Sequence, residues 1–264
     1  MATYNGDSNN SSVTSGVAAE PVTVLGPGVY VSGTTLYIVG GSTSSDTASV
    51  QPAGAKNDGS TGLTVNATLN NVSSSKTFTQ TFTAIVVAGY AGNETFTLAS
   101  TLALPTTVTA GNGNDTIQLG AGNSIVILGN GNDMVTAGNG NNSITVGTGN
   151  DTIMAGNGSN TITAGAAGSK GNDSITVGDG ANNAITQLGN GNDQITVGNG
   201  NNDSVSITGN GNDQITIGNG TGDSVTMMGN GDDTITTGTG SGTVGVVGTG
   251  HDKVTLGSKG WTEV

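Results

Sequence analysis

From residue 110 to the end the chain repeats one nine-residue unit, U-G-x-G-x-D/N-x-U-x, with U aliphatic or small, and such repetition overrides any local reading of secondary structure. Residues 128–145 show it twice, LGNGNDMVT then AGNGNNSIT, with Asp133 in one copy and Asn142 at the same place in the next. The alternation is sustained. Asp115, Asp133, Asp151, Asp173, Asp193, Asp213, Asp233 and Asp252 hold the sixth position of every second unit, separated by 18, 18, 22, 20, 20, 20 and 19 residues. The intervening units carry Ser124, Asn142, Asn160, Asn182, Asn202, Gly222 and Gly242 there, and Asp203 and Asp223 place an acid one residue later.

A period of about 18–20 residues, with two short strands and two glycine turns, predicts an all-β chain whose residues 106–264 form a parallel β-roll or β-solenoid. Pairs such as Ile144 and Val146, Ile195 and Val197, and Ile215 and Ile217 point inward, with polar residues between them facing out. The coils then sort their turns into two columns, one acidic and one nearly neutral.

Strand stacking puts successive carboxylates roughly 4.8 Å apart, where neighbours repel by about 0.9 kcal/mol even in water. Such a column calls for cations. The aspartates, with backbone carbonyls of the turns at Gly111, Gly113, Gly129, Gly131, Gly147, Gly149, Gly189, Gly191, Gly209, Gly211, Gly229 and Gly231, offer all-oxygen ligation suited to Ca²⁺ better than to Mg²⁺. Asp203 and Asp223 are further acids for irregular sites. With few inward aliphatics per coil to set against the entropy of ordering it, the roll is expected to be largely unfolded without calcium.

Composition narrows the function. Of 264 residues 9% are charged and 3% aromatic, with one His and no Cys, and neither an HExxH helix nor a GxSxG elbow is present, so no catalytic set is visible. The formal charge of −13, with no Arg, excludes a phosphate-backbone partner, hence nucleic acid. No apolar run is long enough to span a membrane, and residues 1–20 contain no basic start or apolar core of a leader. That segment reads as flexible or strand-donating. Residues 21–105 read as an all-β N-terminal region, with strand-like runs at 22–25, 29–32, 34–39, 63–69, 76–87 and 94–100.

The repeat resembles the RTX family, whose unit G-G-x-G-x-D-x-U-x folds as a parallel β-roll binding Ca²⁺ between glycine turns. The resemblance covers residues 110–257. It implies a column of several Ca²⁺ ions and carries the ligand role onto Asp115, Asp133, Asp151, Asp193, Asp213, Asp233 and Asp252, and onto Asp173, whose turn AGAAGSKGND breaks the glycine pattern. Ala110, Leu128, Val146, Leu188, Thr208, Met228 and Val247 replace the family's first glycine, and half the turns lack the acid. This one-sided pattern is similar to ice-binding RTX domains of bacterial adhesins, most closely in VGTGND at 146–151. The resemblance also implies export without a cleaved N-terminal signal, through a type I exporter, to the cell surface or beyond.

These readings converge on a secreted calcium-binding structural protein that folds on Ca²⁺ outside the cell and assembles with copies of itself into a filament, surface layer or biofilm matrix. Cell-surface polysaccharide is a further expected partner. The alternative is a monomeric ice-binding or adhesive module, using an outward Thr column (Thr136, Thr176, Thr196, Thr216, Thr236 and Thr255, interrupted by Gln118 and Met154) widened by the outward pairs Asn112/Asn114, Asn130/Asn132, Asn190/Asn192 and Asn210/Asn212. Trp261 is expected to plug the end of the solenoid.

Overall fold

A computed structural model describes residues 3–4, 13–14, 26–55, 61–258 and 260–264. The strand expected at 22–25 lies outside the described residues, as does segment 1–20 apart from an antiparallel pairing of Thr3–Tyr4 with Val13–Thr14.

The chain winds as a parallel β-solenoid between two twelve-stranded sheets. In each coil one strand lies in the first sheet, as in Ser124–Ile127, and a turn carrying the sixth-position Asp leads to a strand of the second, as in Met134–Thr136. A second turn, carrying Ser or Asn, returns the chain to Asn142–Thr145 of the first sheet. We call the two turn columns the acid edge and the amide edge. Period-2 alternation selects which residues enter the core, and the expected inward pairs are all buried: Ile144 and Val146, Ile195 and Val197, Ile215 and Ile217.

The second glycine of each acid turn is required by stacking. A Cβ built on Gly131 would strike the carbonyl oxygen of Gly113 one coil earlier, and the φ of 147° at Gly131 is itself unfavourable to a side chain.

Parallel stacking runs upstream of the repeat, through Thr106–Thr109 and Ala84–Ala88 to Thr35–Val39 in one sheet, and through Thr95–Leu98 to Thr47–Ala55 in the other. The change of composition near residue 106 therefore does not mark the end of the coils. Antiparallel strands close the N-terminal end: Gly28–Ser32 on one sheet, Thr61–Leu69 and Val72–Phe78 on the other. Lys76 Nζ, on the last of these, donates to the Val29 carbonyl at 2.9 Å and ties the two terminal strands together.

Two features of this region differ from the expectation. The alternating run 76–87 is divided, because the chain leaves one sheet at Phe78 and enters the other at Ala84, turning on an edge-to-face contact between Phe78 and Phe82 (centroids 5.7 Å apart). Thr47–Ala55 is a strand despite Pro52. Its pairing with Thr95–Leu98 ends at Val50, so the proline lies where only one neighbouring strand remains, next to a register shift.

At the other end Trp261 pairs with Gly242 and is buried over the last position of the amide edge, as a plug would be. The outward Thr column is in register from Thr97 through Gln118, Thr136, Met154, Thr176, Thr196, Thr216 and Thr236 to Thr255. The outward Asn pairs, by contrast, are not a free surface. Their Oδ1 atoms accept backbone N–H groups of the following coil, from Asn130 to Asn112 (2.9 Å), Asn132 to Asn114 (2.7 Å), Asn210 to Asn190 (3.0 Å) and Asn212 to Asn192 (2.8 Å).

Candidate metal centre

The eight predicted aspartates lie in one line, and all but Asp252, on the exposed last coil, are buried to 4% exposure or less. Stacking alone orients them. The backbone N–H of Asp115 donates to Asp133 Oδ1 (2.9 Å), that of Asp133 to Asp151 (2.8 Å), of Asp151 to Asp173 (2.8 Å), of Asp173 to Asp193 (2.7 Å), of Asp193 to Asp213 (2.8 Å), of Asp213 to Asp233 (2.8 Å) and of Asp233 to Asp252 (3.0 Å). One oxygen of each carboxylate is thereby used. The other, in Asp115, Asp133 and Asp151, is buried with no hydrogen-bond partner.

Burial pushes these carboxyls up, against the partial relief of the backbone N–H each accepts: to about 6 for Asp133 and Asp193, and to about 7 for Asp151 and Asp213, where neighbouring aspartates add to the effect. Asp173 and Asp233 are raised by burial as well. The structure thus withdraws carboxylates from water without giving them a positive partner, an arrangement that requires either protons or cations.

The turn glycines divide into two groups. The carbonyls of Gly111 and Gly129 accept the amides of Gly129 and Gly147, each at 2.9 Å. Those of Gly113, Gly131, Gly147, Gly149, Gly189, Gly191, Gly209, Gly211, Gly229 and Gly231 accept no hydrogen bond among the described residues. Nor do three His, Cys, Asp or Glu side chains converge anywhere among those residues. An ion here would draw on one or two carboxylates together with turn carbonyls. That donor set, all oxygen and adaptable in number, fits Ca²⁺.

Two further members of the column lie upstream of the aspartate repeats. Thr47 pairs with Thr95 and Thr95 with Thr116, so Glu94 stacks on Asp115 and Asp46 on Glu94, and both are fully buried. A signal for Glu94 exists in the chain: GNET at 92–95 is the GNDT of 113–116 and 149–152 with one added methylene.

The amide edge solves the same turn differently. Its inward residues are Thr106, Ser124, Asn142, Asn160, Asn183, Asp203 and Asp223, all buried. This corrects the phasing that placed Asn182, Asn202 and Gly222 there. Those three are extra turn residues with φ of 61°, 59° and 79°, and the left-handed step absorbs the added residue while the next one turns inward. Asn142 Nδ2 donates to the carbonyls of Gly138 (3.1 Å) and Gly140 (2.7 Å) and to Asn160 Oδ1 (2.9 Å). Asn160 Nδ2 repeats the pattern with Gly156 (3.0 Å), Gly158 (2.9 Å) and Asn183 Oδ1 (3.1 Å). A chain of amides supplies there the donors that a cation would otherwise replace. It ends at Asp203 and Asp223, whose Oδ2 atoms are again buried without partners and whose carboxyls are raised by burial.

Gln187 went unforeseen. It occupies a core position between Ala164 and Ile207, and its Nε2 donates to Asp173 Oδ2 at 2.7 Å. The aspartate whose turn lacks the glycine pattern therefore takes its second partner from an amide.

Residues 109–185 match the family model of the RTX calcium-binding nonapeptide repeat, in four copies at 109–144, 145–167 and 166–185. No curated protein and no solved structure matches the chain. RTX repeats bind Ca²⁺, and the buried acid column fits that ion. Residues 109–185 thus carry RTX calcium-binding nonapeptide repeats, and the β-solenoid that the chain builds is consistent with the RTX repeat family.

Proposed function

We propose that this calcium-binding β-roll is a structural protein of the extracellular space, which folds when it meets calcium and then joins copies of itself into a filament, surface layer or biofilm matrix. The observation that carries the reading is the acid edge, a column of buried, acceptor-only carboxylates that the chain itself does not neutralise. Asp115, Asp133, Asp151, Asp193, Asp213 and Asp233, with the unpaired glycine carbonyls of their turns, would hold Ca²⁺, and Asp252 would close the column at its exposed end. The bound ions cancel the repulsion and desolvation that oppose coiling. At low internal calcium the chain stays uncoiled, which suits passage through a type I exporter, and RTX repeat proteins are typically exported.

Assembly rests on the sheet ends. Lys253–Thr255 and Trp261–Glu263 at one end, and Val72–Phe78 and Gly28–Ser32 at the other, each have one unpaired side among the described residues. Unpaired edges are templates for another chain, and joining unlike ends gives an open assembly. Negative-stain electron microscopy in millimolar calcium is expected to show ordered filaments or sheets that vanish on chelation. Isolated particles of monomer size in both conditions would overturn the assembly reading.

A second reading is favoured by one observation, the Thr column held in register from Thr97 to Thr255 on one exposed sheet face, which would suit a monomeric ice-binding or adhesive module. Met154 interrupts it at 44% exposure. Freezing-point hysteresis of calcium-loaded monomer would select this reading over the first.

A further inference from the structure

We propose a second kind of cation site at Glu94, outside the nine-residue repeats, formed by the carboxylates of Glu94 and Asp115 and taking a hard, oxygen-preferring divalent ion. Glu94 is fully buried, and neither of its carboxylate oxygens has a hydrogen-bond partner, so two acceptors are left without a donor. Asp115, one coil along, adds a third orphaned oxygen, Oδ2, while its Oδ1 accepts the Glu94 N–H at 2.9 Å. Among the described residues, the one ion pair is between His251 and Asp232 on the last coils, and Lys76 is engaged with a carbonyl of the cap, so no side-chain cation serves this place.

The turn is built as the repeat turns are, and its GNET differs from their GNDT by one methylene. Gly92 has φ of 139°, beside 154° at Gly113 and 147° at Gly131. Asn93 Oδ1 accepts the Asn114 N–H at 2.8 Å, which starts the outer ladder. The longer side chain is accommodated by two glycines. A Cβ on Gly89 would lie 2.8 Å from Glu94 Cγ, and one on Gly92 would lie 3.0 Å from Glu94 Oε1.

Asp46, the next acid in the column, shows what a carboxylate that needs no ion looks like in the same fold. Its oxygens accept the Gly41 N–H (2.5 Å), the Ser44 hydroxyl (3.1 Å) and the Asn70 N–H (2.7 Å), donors from the antiparallel cap and the loop before it. The cap satisfies the oxygens of Asp46 with hydrogen bonds, and Glu94 is left between that terminus and the repeats. An ion at Glu94 would fasten the cap coils to the roll.

This inference rests on the acid column being a calcium column, and the test keeps the two apart. The full-length chain is folded in calcium, dialysed, and its bound calcium per chain measured by mass spectrometry of the metal, alongside Glu94→Gln and Glu94→Asp. Glu94→Gln is expected to hold one ion fewer, since its amide can donate as Asn142 and Asn160 do, and Glu94→Asp to keep the parent's count. Equal counts in the parent and in folded Glu94→Gln overturn the site. A parent that binds no calcium overturns the column itself. Should Glu94→Gln fail to fold, isotope-edited infrared spectroscopy of the parent with labelled glutamate decides. An ionised carboxylate signal alone in saturating calcium is expected, and a protonated-carboxyl band there overturns the ion in favour of a trapped proton.

Discussion

The two edges of the roll carry nearly the same turn, GNGND on one side and GNGNN on the other, yet one residue decides how each is held. At Asn142 and Asn160 the side-chain nitrogen sits among two glycine carbonyls and the oxygen of the next coil, so its donors are used within the protein, although Asn142 Oδ1 is itself buried without a partner. At Asp133 and Asp151 the second oxygen stands where no donor reaches it. Amides close one edge from within, whereas carboxylates leave the other to be closed by a solute. A roll with two amide edges is therefore expected to coil without calcium, and the amide edge here departs from that pattern at Asp203 and Asp223.

The largest expected effect follows from that asymmetry. Chelation of calcium at neutral pH is expected to remove most of the β signal in the far-ultraviolet circular dichroism spectrum, because an edge that runs the length of the solenoid loses its counter-charge. The same β signal in EDTA as in millimolar calcium would break the comparison, since it would mean that the acid edge holds itself.

Protons are the second way to close the acid edge. Burial raises Asp133 and Asp193 to about 6 and Asp151 and Asp213 to about 7, above their unfolded values near 4. Groups so raised favour the folded state most fully below the unfolded values, and that contribution is lost as pH rises through the folded ones. Metal-free chain is therefore expected to regain β structure as pH falls from about 7 to about 4, while calcium affinity falls over the same range because protons compete for the same oxygens. Loss of structure on acidification of the metal-free chain would contradict this.

Much of this was legible in the repeat, and what was not has identifiable causes. The phase of the aspartates and the inward aliphatic pairs follow from period alone. Glu94 is hidden from a repeat defined by aspartate or asparagine at its sixth position, and Asp46 is hidden because its turn, GGSTSSD, has neither the length nor the second glycine of the others. Asn183, Asp203 and Asp223 were displaced by one, since a pattern cannot say which of two adjacent polar residues takes the left-handed step. The boundary near 106 reflected composition, while backbone pairing depends on whether a strand edge is presented to the next coil. Gln187 is beyond pattern altogether, because its partner Asp173 lies fourteen residues earlier in chain and across the core.

Exchanging single residues between the edges sharpens the comparison. Asn160→Asp removes the Nδ2 donor from Gly156, Gly158 and Asn183 and leaves their oxygens facing a carboxylate. It is expected to destabilise the chain by about 1–3 kcal/mol at limiting calcium, with recovery at high calcium as a new acidic turn fills. Asp151→Asn is expected to act in the opposite sense, raising the melting temperature at limiting calcium and lowering it at saturating calcium. Equal shifts with and without calcium, measured by thermal melts of both variants, would show that the identity of the inward residue does not set the ion requirement.

The smallest expected effect lies outside both edges. The outer ladder Asn114, Asn132, Asn150, Asn172, Asn192 and Asn212 passes each side-chain oxygen to the backbone N–H of the next coil, on the rim of the acid turns but in solvent. Asn132→Ala removes one rung, the 2.8 Å bond from the Asn150 N–H, and water can replace the lost acceptor. The loss is expected to be about 0.5–1.5 kcal/mol, and to be the same in calcium-loaded chain as in metal-free chain refolded at low pH. Aspartate already replaces one rung at position 232, where its Oδ1 accepts the His251 N–H at 2.8 Å beside the His251 ring, so the ladder asks for an acceptor. If Asn132→Ala instead lowered calcium affinity by tenfold or more, the rim would have to be counted with the acid edge, and the division between a solute-closed interior and a self-closed exterior would fail.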